Sequence, residues 1–335
     1  MVKSKKGKRA ELKKKKLLLI LALCFLPCNF AHSFSATYPD EKIVLLTQLE
    51  QPAGIILSND YIAISDGPSV KLFDRKSFNF IRALGREGQG PGEFQDLASP
   101  EILNDCILVS STNKISYFNF DGQLIQEIKL PASISGLKKI KDKYVGYILD
   151  MTQPDDYYIV YNLYDANFTK LKELHKGKWV IHKNLRRELF EIMFYDTCQD
   201  KIVMAHRDGS ALDILEADGN IIQTIKPKIK PVPFTKKDKE KVIASWKENG
   251  YTPALIDKLM KRTDFPDKYP PIMTCELADG KIYVITYRKK ASGYESFIYD
   301  LNGKYLGKVY LPVVMAAPNY PSPFAIYDEH FYQLS

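Results

Sequence analysis

Beyond residue 40 the hydrophobic and polar positions repeat one pattern: an apolar strand, a short polar turn, a second apolar strand, then a strand that ends in an acidic or glycine turn. The first turn of each unit is a polar pair, followed by one variable residue and an apolar run. It occurs at Asn59-Asp60, Asn104-Asp105, Lys141-Asp142, Gln199-Asp200, Asp279-Gly280 and Asp328-Glu329. The second turn is clearest at Asp121-Gly122, Asp218-Gly219 and Asn302-Gly303, which are strong two-residue hairpin signals. The pattern predicts an all-β chain of repeated hairpins.

The spacing of the first turns predicts six units. Counted from the second residue of each turn, the intervals are 45, 37, 58, 80 and 49 residues, and all but the longest lie near the length of a propeller blade. The sixth unit stops just after its second strand. The apolar run Ile43–Thr47 has no first turn before it, so we expect it to complete that blade as its outermost strand and to hide an otherwise open edge.

The long interval contains an insert of different composition, from about Pro231 to Pro271. Thr235 followed by Asp238 predicts a capped helix start, and Thr252-Pro253 predicts a second start with proline at the first helical position. Apolar residues then recur at helical spacing in both segments. We expect a helical pair packed against the propeller; a lid over one mouth of the channel is the alternative.

A glycine-rich segment, residues 85–94, reads Gly-Arg-Glu-Gly-Gln-Gly-Pro-Gly-Glu-Phe. Four glycines and a proline exclude a helix or a central strand. A phosphate-binding loop would have to open a helix, whereas strand-like sequence follows here. We therefore expect a crossover between the first and second blades. Its polar side chains are the candidate ligand-binding residues on one propeller face: Arg86, Glu87, Gln89 and Glu93.

The segment Gly88–Phe94, the sixfold repeat and the insert after the fourth unit together resemble the six-bladed β-propellers of NHL-like or TolB-like type found among exported bacterial proteins. The resemblance covers nearly all of the chain beyond the N-terminal segment, and it implies an all-β six-bladed propeller with a short two-helix insertion after the fourth blade. It implies no catalytic residues. Related propeller scaffolds include lactonases and lyases that hold a divalent metal near the central channel.

The positive charge lies almost entirely at the N-terminus. The formal net charge is +8, and residues 1–36 hold nine basic residues and one acidic residue, whereas residues 37–335 hold 39 of each. A nucleic-acid-binding protein would keep its basic excess in the folded part, so we expect no nucleic-acid partner. The basic block runs into the apolar segment Leu17–Leu26, followed by small residues at 31–36, which is typical of a cleaved secretory signal peptide. We expect export, with residues 37–335 forming the propeller; an uncleaved N-terminal membrane anchor is the alternative.

The remaining chemistry-bearing residues are scattered. The histidines beyond the leader are His175, His182, His206 and His330, at non-equivalent positions. The cysteines Cys106, Cys198 and Cys275 show no metal-type spacing, and the nucleophile elbow G-x-S-x-G is absent from the sequence. The sequence therefore predicts no metal site, no cofactor and no identifiable catalytic residue.

Two functions remain open on the sequence alone. The first is an exported, non-enzymatic module that binds a protein, peptide or carbohydrate ligand on one face. The second is a metal-dependent propeller hydrolase or lyase, similar to the lactonases, with its site in the central channel. The deciding observation is whether the channel collects three or more carboxylate, amide or imidazole groups, because calcium sites need several convergent oxygens.

Overall fold

The computed structural model of the chain describes residues 19–22, 41–130, 133–152, 157–179, 187–190, 194–318 and 320–335. The predicted leader, residues 1–36, lies outside the described residues except for one short strand. This strand, β1 (Leu19–Ala22), pairs antiparallel with β2 (Glu41–Val44). No helix in the described ranges is long and apolar enough to cross a membrane.

Five antiparallel sheets of four strands follow along the chain, each with its strands in sequence order. The first three blades comprise β3 (Pro52–Leu57), β4 (Tyr61–Asp66), β5 (Ser69–Asp74) and β6 (Phe80–Leu84); β7 (Ser99–Ile102), β8 (Ile107–Ser111), β9 (Lys114–Phe118) and β10 (Leu124–Lys129); and β11 (Ser135–Ile140), β12 (Lys143–Asp150), β13 (Tyr157–Tyr164) and β14 (Lys170–Trp179).

After β15 (Arg187–Glu188), the fourth blade comprises β16 (Tyr195–Cys198), β17 (Lys201–Ala205), β18 (Leu212–Glu216) and β19 (Ile221–Ile225). The insert contributes α1 (Lys236–Glu248), α2 (Pro253–Arg262) and β20 (Thr263–Asp264). The fifth blade comprises β21 (Thr274–Ala278), β22 (Lys281–Lys290), β23 (Gly293–Asp300) and β24 (Tyr305–Leu311); β25 (Met315–Ala317), β26 (Tyr320–Pro321), β27 (Phe324–Tyr327) and β28 (His330–Gln333) complete the chain.

The first strands of the six units form a closed ring. Neighbouring strands lie against each other in the order β3, β7, β11, β16, β21, β27 and back to β3. Six hydrophobic clusters fill the six gaps between consecutive blades. Each sheet therefore buries both of its faces against its neighbours, as blades around a central channel do. This arrangement confirms the six-bladed all-β propeller that the repeat predicts.

The sixth blade combines both ends of the chain. Strands β27 and β28 pair with each other, and β1 lies beside β28 with β2 on its outer side. The N-terminal strand is thus outermost, as predicted, although it spans Glu41–Val44 and begins two residues before the predicted Ile43. Leu46, just after β2, is buried in the cluster between the sixth and first blades. Across the same junction the Tyr327 hydroxyl lies 2.7 Å from Asn59 Oδ1.

Aspartates at the second turns bind the backbone of their own turn. Asp165 and Asp300 each accept two backbone N–H hydrogen bonds within their own turns. Asp279, in the first turn of the fifth blade, instead accepts the N–H groups of Asp328 and Glu329, at 3.1 and 3.0 Å. This carboxylate joins the first turns of two adjacent blades.

The up-and-down order of the strands places the turns and the longer loops at opposite ends of the propeller. Because the strands of each blade alternate in direction, all first and second turns lie on one end of the propeller, the turn face. The connections between blades, and the connections from each second to third strand, lie on the other end, the loop face. The insert joins β19 to β21 and therefore belongs to the loop face.

The insert folds as the sequence predicts. Thr235 and Asp238 form a reciprocal capping box at the start of α1, and Thr252 caps α2 with Pro253 at its first position. Val242 of α1 is buried against Leu189 and Phe190, which precede the fourth blade. Strand β20 also pairs in parallel with β15. The helical pair is therefore fixed to the propeller by an apolar cluster and a short ladder.

The glycine-rich loop is closed by its own residues. The Phe94 N–H donates to the Arg86 carbonyl at 2.8 Å, and the Gly88 N–H to the Phe94 carbonyl at 3.0 Å. The Phe94 ring is fully buried between the first two blades. Gly85 has a φ of +73°, and a Cβ there would lie 2.2 Å from this ring. The glycine is thus required by backbone geometry and by the close approach of Phe94.

Replacement of Gly85 by alanine should destabilise the propeller by about 3 kcal/mol, because it combines a left-handed backbone with overpacking. Gly307→Ala is the matched control: its φ is not positive and its added Cβ would meet no atom within 4 Å, so we expect a change within about 0.5 kcal/mol. Urea unfolding of both variants checks this. Equal stabilities of the two variants would contradict the packing role assigned to Gly85.

Candidate functional site

A ring of equivalent positions surrounds the channel, three residues before each first turn. In every blade this residue pairs with the third residue after the first turn, as Glu101 pairs with Leu108 and Glu276 with Tyr283. From the first blade to the sixth, the channel ring reads Ile56, Glu101, Lys138, Asp196, Glu276 and Ala325. Four adjacent blades therefore carry charged residues at this position, and the first and sixth blades carry apolar ones.

Lys138 joins the second, third and fourth blades. Its Nζ lies 3.3 Å from Glu101 Oε2 and 3.5 Å from Asp196 Oδ1. The three side chains remain 24%, 16% and 22% exposed, in the order Lys138, Glu101 and Asp196. An ammonium group thus fits between carboxylates of the channel ring, at a place that solvent still reaches.

Two ring carboxylates also bind the backbone of the following blade. Glu101 Oε1 lies 3.5 Å from the Lys139 nitrogen, and Glu276 Oε1 accepts the Ile326 N–H at 3.3 Å. Lys139 and Ile326 occupy equivalent positions, one residue after the ring. Because the innermost strand of each blade has no further strand on its channel side, its N–H groups need such partners. Part of the role of these acids is therefore structural.

The charges of the ring shift one another's ionisation. Burial disfavours the charge on Lys138, but the carboxylates of Asp196 and Glu101 outweigh it and raise the pKa of the ammonium. Burial raises the pKa of Glu101, and Lys138 only partly opposes this effect. Burial, followed by the nearby charge of Asp196, raises the pKa of Glu276 to about 8. Lys138 therefore keeps its proton at neutral pH, whereas Glu276 is mostly protonated.

Asp196 and Glu276 form an unbalanced acidic pair. They occupy adjacent ring positions, and Glu276 makes no ion pair among the described residues. A carboxylate whose pKa is raised by burial and by a like charge marks a candidate functional position. A cation placed between these two groups would relieve their repulsion, as Lys138 does for Glu101 and Asp196.

A metal ion has less support at this position. Within the described ranges, no group of three or more His, Cys, Asp or Glu side chains is arranged to hold one. The channel does collect three carboxylates, which meets the count set above for a metal-dependent enzyme, but the ammonium of Lys138 occupies the space between two of them. The metal-dependent hydrolase or lyase stays a prediction.

The four loop residues predicted as a ligand site lie on the loop face. The structure brings Arg86 and Glu93 together, with Arg86 Nη2 2.7 Å from Glu93 Oε1. Glu93 also accepts the Gly90 N–H at 2.9 Å, and this bond and Arg86 lower its pKa. Glu87 and Gln89 are exposed in the same loop. Glu93 thus stabilises the loop itself, and ligand binding by these residues stays a prediction.

His175 and His206 are near enough for their charges to interact. His206 Nε2 is 2.9 Å from Asp213 Oδ2. Burial, followed by the charges of His206 and Arg207, lowers the pKa of His175. His330 is near the surface of the sixth blade, where its ring contacts the Asp328 carbonyl. His182 lies outside the described residues.

The three cysteines beyond the leader are free thiols in the structure. Cys106 and Cys275 are buried and Cys198 is half-buried. Burial raises the pKa of all three thiols, which makes them poor nucleophiles at neutral pH. They pack as small apolar residues.

Sequence reasoning missed the channel ring, although the signal was present. When the six units are aligned on their first turns, the residue three positions before the turn is charged in the second to fifth units and apolar in the first and sixth. A charged residue at an inner-strand position that is apolar in other units is the feature that identifies the site. No short motif contains it, because its members are 37 to 80 residues apart.

Comparison with known families gives one clear match. A family model described as "6-bladed beta-propeller" matches residues 45–263, more than half of the chain. No functionally curated protein matches the sequence.

Solved structures share the architecture only distantly. A protein described as exported, from Bacteroides fragilis NCTC 9343, is 16% identical with a TM-score of 0.46; the match covers 90% of this chain and 78% of that one. The WD40 domain of Neurospora crassa Pan2 is 8% identical with a TM-score of 0.43, over 79% and 68% of the two chains. BamB from Moraxella catarrhalis is 13% identical with a TM-score of 0.34, over 71% and 56%.

The raised pKa of Glu276 predicts a specific pH dependence of stability. The folded chain holds this proton between the ordinary carboxyl pKa of 4.5 and about 8, whereas the unfolded chain releases it, so the contribution of Glu276 to stability falls as pH rises through this window. The variant Glu276→Gln cannot titrate there. Its melting temperature relative to the native chain should therefore increase from about pH 5 to about pH 9.

Thermal melts of both proteins across this range test the prediction. Glu240→Gln, on the exposed side of α1, is the control and should follow the native profile. A constant difference between native chain and Glu276→Gln would contradict a raised pKa at Glu276.

Proposed function

Because the chain belongs to the 6-bladed beta-propeller family, we propose that it is an exported binding module whose channel ring receives a positively charged amine of its ligand. The observation that carries the proposal is the acidic pair Asp196–Glu276. Family membership supplies the scaffold but not the ligand, so the ligand class is argued from the ring alone.

The contacts of Lys138 show how the ring holds an ammonium group. Lys138 Nζ lies 3.3 Å from a Glu101 oxygen and 3.5 Å from an Asp196 oxygen, within ion-pair distance of both. Lys138 occupies the ring position between Glu101 and Asp196, whereas Asp196 and Glu276 are direct neighbours with no lysine between them. An external primary amine would complete the pattern. Amines occur on peptides and on amino sugars, so both ligand classes predicted from the sequence stay open.

We propose that the ligand enters from the turn face. Each ring residue lies three residues before its first turn, near the middle of its strand, for example as the second of four residues in β16 and the third of four in β7. The helical insert lies on the opposite, loop face. The insert is therefore not a lid over this approach, although a lid over the other mouth stays a prediction.

Export is proposed from the N-terminal sequence, with its basic block and apolar segment. The structure pairs Leu19–Ala22, within the predicted leader, with Glu41–Val44, and cleavage near residues 33–36 would remove that partner strand. N-terminal sequencing of the protein recovered from the cell envelope tests the proposal. We expect a chain that begins close to residue 37; one that retains residues 19–22 would contradict cleavage.

The amine site is tested by calorimetric titration with 1,5-diaminopentane, with 1,5-pentanediol as the uncharged probe. We expect binding of the diamine but not of the diol, with affinity rising between about pH 7 and about pH 9 because binding favours the ionised form of Glu276. Glu276→Gln and Asp196→Asn should each lose about tenfold or more in affinity, since each loses a charged hydrogen-bond partner.

The control variant is Glu240→Gln, which should bind as the native chain does. Equal affinities for diamine and diol, or unchanged affinity in Glu276→Gln, would contradict the proposed site. Absence of diamine binding to the native chain would exclude a simple amine as the recognised group.

A further inference from the structure

The insert carries a charge opposite to that of the rest of the propeller. The insert, residues 231–271, contains nine Lys or Arg and six Asp or Glu, whereas the other residues of 37–335 contain 30 and 33. The insert therefore adds net positive charge to the loop face. Such an asymmetry favours an anionic partner on the loop face.

The second helix presents an outward face that combines apolar and basic residues. Ile256 is the buried residue of α2. Leu255, Lys258 and Arg262 follow each other at helical spacing, which places them on one side of the helix. Tyr251 lies just before the helix, next to its Thr252 cap. Tyr251 is 43% and Leu255 40% exposed. A large aromatic and a leucine thus project into solvent next to cationic side chains.

Further exposed lysines lie at the end of α1 and in the segment that leads into the insert. Lys226, Lys228 and Lys230 alternate along the extended segment after β19, and all three are exposed. Lys247 lies at the end of α1, close in sequence to Tyr251, and is also exposed. Within the described part of the chain, Lys247 and Lys258 form no ion pair. These charges are therefore available to an external anion.

We propose that the insert docks the loop face onto an anionic lipid surface. A helix with basic residues on its polar side and exposed Tyr and Leu beside them has the composition of interfacial helices, in which apolar side chains enter the headgroup region and lysines contact anionic lipids. A soluble acidic protein would use the charges but would not require the exposed Tyr251 and Leu255. The turn face, at the other end of the channel, then stays open to solution.

The two ends of the insert, residues 232–234 and 267–269, form its neck. Because they are hydrogen-bonded to each other, the residues between them can be deleted. The Phe234 N–H donates to the Asp267 carbonyl and the Tyr269 N–H to the Val232 carbonyl, both at 2.9 Å. The two strands of the neck therefore lie side by side, and a short glycine linker can replace residues 235–266 without stretching the chain. The deletion variant and point variants provide two independent tests.

Co-sedimentation of residues 37–335 with mixed phosphatidylcholine–phosphatidylglycerol vesicles tests the proposal, with pure phosphatidylcholine vesicles as the uncharged surface. We expect binding to the anionic vesicles only, weakening as salt rises. Lys258→Gln and Lys247→Gln should each lower partitioning about fivefold. The double variant Tyr251→Ser/Leu255→Ser should also lose binding, because its apolar contribution is removed. Lys304→Gln, in a second turn of the turn face, is the control and should bind normally.

The outcomes separate this proposal from the amine site. Vesicle binding retained by the insert deletion, equal binding to neutral vesicles, or capture by soluble polyaspartate that is unaffected by Tyr251→Ser/Leu255→Ser would overturn lipid docking. Diamine titration of the same variants reports on the channel ring. Loss of vesicle binding with native diamine affinity supports docking by the insert independently of the ligand at the channel.

Discussion

The structure depends on the closure of a ring of sheets. Each blade is apolar on both faces, so a blade is stable only when it packs between two others, and the six interfacial clusters meet this need only if the sixth blade reaches the first. Leu46 contributes to that last interface from the N-terminal side of the chain. Closure therefore joins the two ends of the folded domain and fixes the six inner strands around a channel.

Closure also explains why charged residues collect in the channel. Inner strands turn an unpaired edge toward the axis, and buried N–H groups there need acceptors. Glu101 and Glu276 supply such acceptors to the next blade. Lys138 is the only basic member of the channel ring, which holds three carboxyl groups. Burial, followed by the nearby charge of Asp196, raises the pKa of Glu276, which therefore keeps its proton. An architectural need thus produces a site with an unbalanced charge.

The two ends of the molecule have different chemistry for the same topological reason. The insert and the glycine-rich loop both lie in connections between blades, β19 to β21 and β6 to β7, and these connections belong to the loop face. The insert adds positive charge there, while the acidic pair Asp196–Glu276 lies on the inner strands around the channel. In the two proposals, the loop face contacts an anionic lipid surface and the turn face admits a ligand to the channel.

Local sequence signals predicted most of the fold but little of the site. Two-residue turns, the capping box at Thr235 and Pro253 at a helix start act through the neighbouring backbone, so they can be read directly. The sequence predicts that Gly85 lies in an irregular loop, but its close approach to Phe94 is known only from the folded structure. The channel ring depends on strand register across four blades, and the raised pKa of Glu276 depends on burial. Neither property belongs to any segment taken alone.

The central claim is that the Glu276 carboxyl is protonated at neutral pH in the free protein and ionises when a cation binds beside it. Its side-chain carboxyl resonance, followed by NMR across the pH range with and without 1,5-diaminopentane, measures this directly. We expect the pKa of about 8 to fall when the diamine is present, because the bound ammonium stabilises the carboxylate. An ordinary carboxyl pKa in the free protein, or a raised pKa that the diamine leaves unchanged, would contradict the account.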